Sequence, residues 1–63
     1  MKINIGDLVI KDGDMDIGQI GLVLEISEND VGNRFAKVLN QEGEIKTWYV
    51  KLVRIFESAM HVT

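Results

Sequence analysis

The chain has 63 residues, of which ten are acidic and seven basic, giving a formal net charge of −3. This length allows one small domain that buries only about 60% of its unfolded surface, and the lack of cysteine excludes disulfides and thiolate metal sites. Hydrophobic residues make up 46% of the chain and charged residues 27%, a balance typical of globular and not of disordered proteins.

Six glycines divide the chain into short apolar segments, a pattern that predicts strands bounded by turns. The predicted strands are, in chain order, residues 8–11, 20–26, 35–40, 44–50 and 51–56. No window repeats apolar residues at helical spacing for long enough to predict an ordinary helix. Gly43 is expected at a positive φ in the hairpin loop before the fourth strand. Residues 27–33 are predicted to form a polar loop. Residues 1–56 form the predicted domain, and residues 57–63 a C-terminal tail.

Alternation of apolar and polar residues assigns the strand faces only in part. In the third strand, Ala36 and Val38 are assigned to one face. In the second strand, Leu22, Leu24 and Ile26 are assigned to a common face. Because this strand is apolar on both sides, we expect it to bend and to bury both faces in turn.

The first half of the chain resembles the KOW motif of ribosomal proteins and transcription-elongation factors, which is an SH3-like barrel. Gly6 and Asp7 open a stretch similar to the Gly-Asp-x-Val start of the motif. Gly21, Val23 and Ile26 resemble its Gly-x-Val-x-x-Ile strand, in which the glycine lets two backbones approach closely. The resemblance implies an all-β fold, a small five-stranded SH3-like barrel.

The second half extends this resemblance to about residues 5–56. "FAKVLNQEGEIKTW" is similar to the third and fourth strands of small SH3-like barrels, and "VKLVRIF" to their short turn and last strand. Similar arrangements occur in small proteins of tailed bacteriophages, which implies a phage accessory or virion component. In one departure, Lys11 stands where an apolar strand residue is usual. In another, aspartates replace the basic residues of the first connection.

Three aspartates in that connection raise the question of a calcium loop. Asp12, Asp14 and Asp16 match positions 1, 3 and 5 of an EF-hand loop, which also needs glycine at position 6 and glutamate at position 12. Ile17 and Val23 occupy those two positions instead. The sequence therefore favours an acidic turn whose side chains cap nearby backbone amides, and no metal site is predicted.

The sequence contains few of the residues and motifs that catalysis commonly uses. It has no cysteine and no Gly-rich phosphate loop, and its single histidine, His61, lies in the predicted tail. We therefore expect no catalytic residues, no cofactor, no small-molecule substrate and no enzyme activity.

A protein partner or a homo-oligomer is the predicted partner, because SH3-like barrels offer an aromatic-lined groove or a strand edge to other chains. The candidate contact residues are Trp48, Tyr49, Phe35 and Met15. Trp48 and Tyr49 are adjacent in a predicted strand, so their rings should point to opposite faces. At least one of the two is therefore expected at the surface.

The alternative function is a nucleic-acid-associated module of transcription or translation. Lys37 and Lys46 lie on adjacent predicted strands and are the candidates for a shared basic face, with Phe35, Trp48 and Tyr49 as candidate stacking residues near them. The net charge of −3 disfavours binding to phosphates, as do Glu42 and Glu44 beside the same lysines.

The sequence predicts no membrane partner. Polar residues interrupt the N-terminal apolar residues, so no signal-peptide core is predicted. No apolar run approaches the ~20 residues of a membrane-spanning helix. We expect a cytoplasmic protein, in the host cytoplasm or the virion if the phage resemblance holds.

Overall fold

The computed structural model describes residues 3–56. The predicted tail, residues 57–63, and His61 within it lie outside the described residues. The described chain contains five strands and one short 3₁₀ helix: β1 (Leu8–Lys11), β2 (Ile20–Glu28), β3 (Arg34–Asn40), β4 (Ile45–Tyr49), η1 (Val50–Leu52) and β5 (Val53–Ile55).

The all-β prediction is confirmed, and each predicted strand has its counterpart. β2 runs two residues further than predicted, to Glu28, and the predicted last strand begins with the turn η1. Gly43 has the expected positive φ, 81°. Within residues 3–56, no helix is long and apolar enough to cross a membrane.

The strands form one antiparallel sheet in the order β4-β3-β2-β1-β5. The first strand therefore pairs with both the second and the last. Among the described residues, β4 pairs only with β3 and β5 only with β1, so the sheet is open in its strand pairing. Five antiparallel strands in one sheet are thus confirmed, whereas closure into a barrel stays a prediction.

A β-bulge in β2 decides which residues face the core. The register between β2 and β3 shifts between Val23 and Glu25, so Leu24 and Glu25 together oppose one residue of β3. Leu24 is consequently exposed, and Ile26 packs against the core on the side of Val23. The common face predicted for Leu22, Leu24 and Ile26 is wrong, because alternation does not account for the extra residue.

The core lies on one side of the sheet, here called the inner face. Its buried side chains are mostly small and branched: Ile3, Val9, Val23, Ala36, Val38 and Trp48. The assignment of Ala36 and Val38 to a common face is confirmed. At Gly21, a Cβ atom would lie 2.9 Å from the Cβ of Val38, so the absence of a side chain permits the close approach expected there.

Candidate interaction surface

The opposite side of the sheet, here called the outer face, carries an exposed apolar row. Leu8 pairs with Leu22, Leu22 with Leu39, and Leu39 with Ile45, so one residue from each of β1 to β4 stands at the same level. These four side chains are between 37% and 55% exposed. We call them the apolar row. Leu24, turned outward by the bulge, adds a fifth exposed side chain beside it.

Two aromatic rings stand at the far end of the same face. Phe35 and Tyr49 are cross-strand partners, and their rings stack with centroids 5.4 Å apart. The Tyr49 hydroxyl donates to the Asn33 side-chain carbonyl at 2.8 Å. The stacking and this bond fix the pair, which stays partly exposed. Both residues were predicted as contact residues, and the structure brings them together.

Trp48 points the other way, as its position next to Tyr49 predicts. Its ring is only 3% exposed and belongs to the core. The indole N–H donates to the Asp16 carboxylate at 3.2 Å, which supplies the partner that a buried indole needs. Trp48 therefore exposes almost no surface through which it could contact a partner.

The acidic connection between β1 and β2 is built around an internal cation. Lys11 is 5% exposed, and its ammonium donates to the backbone carbonyls of Gly13 at 2.7 Å and Met15 at 2.6 Å. Asp14 and Asp16 have positive φ angles of 63° and 67°, a backbone conformation that aspartate tolerates better than most residues.

In the part of the chain that the structure describes, the Asp16 side chain caps no backbone amide. Its carboxylate accepts from Trp48 and, at 3.3 Å, from the Gln19 side chain. Within residues 3–56, no three His, Cys, Asp or Glu side chains come together closely enough to hold a metal ion. The cation that organises this loop is the ammonium of Lys11, which also lies 6.0 Å from the centroid of the Trp48 ring.

Met15 lies at the tip of this loop and is 74% exposed. Its carbonyl holds Lys11, while its side chain does not fold back over the core. The loop joins β1 to β2, and Met15 has no neighbour in the apolar row among the strand pairs of the sheet.

The two lysines of the nucleic-acid alternative do not share a face. Lys37 lies on the outer face and pairs with Glu25 at 3.3 Å. Lys46 is the cross-strand partner of the buried Val38, so it points to the inner side, where it lies 3.7 Å from Glu44. Each lysine is thus next to a carboxylate, and the shared face expected from the sequence is wrong.

A polar cleft of about 250 Å³ lies near the β3–β4 hairpin and is lined by Gln19, Asn40, Gln41 and Glu42. Asn40 is buried, and its side-chain carbonyl accepts from the backbone amides of Glu42 and Glu44, both at 2.9 Å. Its amide group donates to Gln19 at 3.0 Å. These bonds shape the hairpin, and the lining offers three amides and one carboxylate.

Sequence reasoning missed the apolar row, because it selected contact residues by aromatic character. Part of the signal was present: Leu39 alternates with the buried Val38, and a short loop centred on Gly43 pairs Leu39 with Ile45. The outward position of Leu24 depends on the bulge, which alternation does not reveal.

Comparisons with known proteins return no family model, no curated protein and no solved structure that matches this chain. Its function is therefore inferred from its own geometry.

Proposed function

We propose that this chain is a small SH3-like barrel that works as a non-catalytic interaction module and binds a protein surface through its outer face. The observation that carries the proposal is the apolar row, whose members come from four strands and stand in register while remaining exposed. A contiguous apolar patch of this kind on a small protein typically marks a contact site.

The connection from β4 to β5 supports a curled, barrel-like sheet. β4 and β5 lie at opposite edges, which in a flat sheet would be four strand spacings or ~19 Å apart. Only the three residues of η1 separate the two strands, and such a connection reaches at most ~14 Å. A connection this short favours a sheet that curls and brings its edges closer together, and η1 packs against β3. This short turn before the last strand agrees with the SH3-like resemblance.

The composition of the two faces supports a role in binding. The buried aliphatic residues of the strands are valine and alanine, whereas four of the larger aliphatic side chains of the sheet form the apolar row on the outer face. Leaving large apolar side chains in water gains no folding energy, but it makes their surface available to a partner. The Phe35–Tyr49 pair extends this surface with aromatic rings, which are favoured contact anchors.

The test is a pull-down from lysate of the source cells with tagged protein, with and without nuclease. A double variant, Leu22→Gln with Leu39→Gln, removes the centre of the apolar row. The matched control is Val31→Gln, which changes an exposed apolar residue in the β2–β3 loop, away from the row. We expect protein partners that survive nuclease, bind the control and are lost with the double variant.

Two results would contradict the proposal. Partners that bind the double variant as well as the original chain would show that the outer face is not the contact surface. Partners that disappear with nuclease, and whose binding weakens steeply with salt, would favour the nucleic-acid alternative. An accessory or virion role in a phage is a prediction from the resemblance, and the identity of the captured partner tests it.

A further inference from the structure

We propose that the outer face binds the outer face of a second copy of this chain, in a two-fold dimer whose axis runs between β2 and β3. This inference rests on the proposed interaction role and names the partner. In such a dimer the two sheets pack face to face, as aligned sheets do in β-sandwiches. The register of the sheet makes the outer face complementary to itself.

The apolar row is symmetric about the line between β2 and β3. On one side of the line stand Leu22 and then Leu8, and on the other stand Leu39 and then Ile45. The two-fold axis runs parallel to this line, between the two outer faces. It leaves each residue at the same height along the strands and places β2 opposite β3 of the second copy. Leu22 then faces Leu39 of the second copy on both sides of the axis, and Leu8 and Ile45, on the flanking strands where the curled sheet turns away, lie at the rim of the contact.

Beside the row, the charged residues on the two sides of the same line have opposite signs. Glu25 lies on β2 and Lys37 is its cross-strand partner on β3. The same two-fold axis places Glu25 of each copy against Lys37 of the other. Both side chains are more than half exposed despite their mutual contact, so each can also reach a second copy. A second copy of the chain presents apolar and charged groups at the spacing that matches this face.

The size of the surface predicts a weak dimer. The four strands that carry the row, about 4.8 Å apart, and a height of about five residues give a footprint of at most about 300 Å². This is smaller than the ~800 Å² that each partner contributes to a standard stable interface. We therefore expect a dissociation constant of roughly 10–100 µM and a monomer at low concentration.

Sedimentation over a concentration series from about 10 µM to about 1 mM covers this range and tests the proposal. We expect the original chain to dimerise, Leu39→Gln to weaken the dimer at least about tenfold because it acts twice near the axis, and the control Val31→Gln to match the original. A chain that stays monomeric throughout the series overturns the proposal, as does a Leu39→Gln variant that dimerises as well as the original.

A charge exchange separates contacts between copies from the contact within one copy. The Glu25→Lys chain carries two ammonium groups beside the row, and the Lys37→Glu chain carries two carboxylates. Each variant alone should dimerise about three- to tenfold more weakly, because like charges face each other across the axis. An equimolar mixture should regain the original affinity, because opposite charges then face each other.

Mixing leaves the repulsion within each chain unchanged, so recovery reports a contact between copies. A mixture that associates no better than its parents overturns the proposed arrangement. Urea unfolding of both variants below the dimer range checks that they fold, and the exposed pair should change stability little. A monomeric chain that still captures a partner through its outer face overturns this inference and leaves the proposed function intact.

Discussion

The two faces of the sheet use apolar residues in opposite ways. The inner face buries mostly small side chains around one large ring: Val9, Val23, Ala36 and Val38 with Trp48. The outer face leaves larger ones exposed, namely Leu8, Leu22, Leu24, Leu39 and Ile45. If buried apolar area alone determined which residues form the core, the leucines would lie on the inner face.

The difference shows that space, more than hydrophobicity, decides what the inner face accepts. Gly21 on β2 lies so close to Val38 on β3 that even a methyl group would collide. Near this contact the inner face holds valine, alanine and the flat Trp48 ring, whereas the larger Ile3, Ile26 and Ile55 lie in or against the core around it. The leucines of the outer face stay partly exposed, so their surface is available to the partner proposed above.

The largest expected effect comes from removing the one large ring of the inner face. Trp48→Ala should lower the free energy of unfolding by about 3–5 kcal/mol, from the lost burial and the cavity left behind. A domain of this size has only about 3–9 kcal/mol in total, so the variant should be largely unfolded. Far-UV circular dichroism and urea titration measure this.

Trp48→Phe is the control for that variant. It keeps an aromatic ring and loses the hydrogen bond to Asp16, so we expect a cost of about 1 kcal/mol. If Trp48→Ala cost no more than Trp48→Phe, the ring would not be the centre of the core.

A smaller effect is expected at the end of the inner face, where the ammonium of Lys11 holds the acidic loop. Lys11→Met keeps the apolar stem and removes the donor to the carbonyls of Gly13 and Met15. Leaving partly buried acceptors without a partner should cost about 1–3 kcal/mol. Urea unfolding followed by the fluorescence of Trp48, the single tryptophan, measures the loss.

Lys51→Met is the matched control, because Lys51 is exposed and only approaches the Tyr49 ring, at 5.8 Å. Its expected cost is at most about 1 kcal/mol. Equal costs at Lys11 and Lys51 would contradict the view that the loop is organised by an internal cation.

The strands could be predicted from the sequence because glycines and polar loops mark their ends. In β3, which begins one residue earlier than predicted, the assignment of Ala36 and Val38 to one face is confirmed, since alternation there has period two without interruption. It failed in β2, where the bulge at Leu24 changes the period. The bulge depends on how β2 pairs with β3, which no local pattern encodes.

The candidate site was harder to predict than the strands. Phe35 and Tyr49 were found by residue type, and they meet because their strands pair in register. The apolar row needs the register of three strand pairs at once, so the sequence of any one strand does not reveal it. The burial of Lys11 was also missed, because its partners are backbone carbonyls that appear only when the loop has folded.

The sharpest comparison of the two faces uses neighbouring residues of β3. Val38→Thr keeps the shape of a fully buried side chain and places a hydroxyl in the core, so it should cost about 1–3 kcal/mol. Leu39→Gln places a larger polar group one residue further on, where the side chain already meets water. Below the concentration of dimer formation, its cost should stay at or below about 1 kcal/mol, because the side chain is only partly buried.

Urea midpoints of the two variants, measured in parallel by Trp48 fluorescence, compare the two stability costs. A large cost at Leu39 would mean that this side chain supports the fold, and the apolar row would lose its value as a binding surface. A small cost, together with weakened association at high concentration, would separate folding from binding in two consecutive residues. Val38 would then contribute to folding, and Leu39 to the binding of a partner.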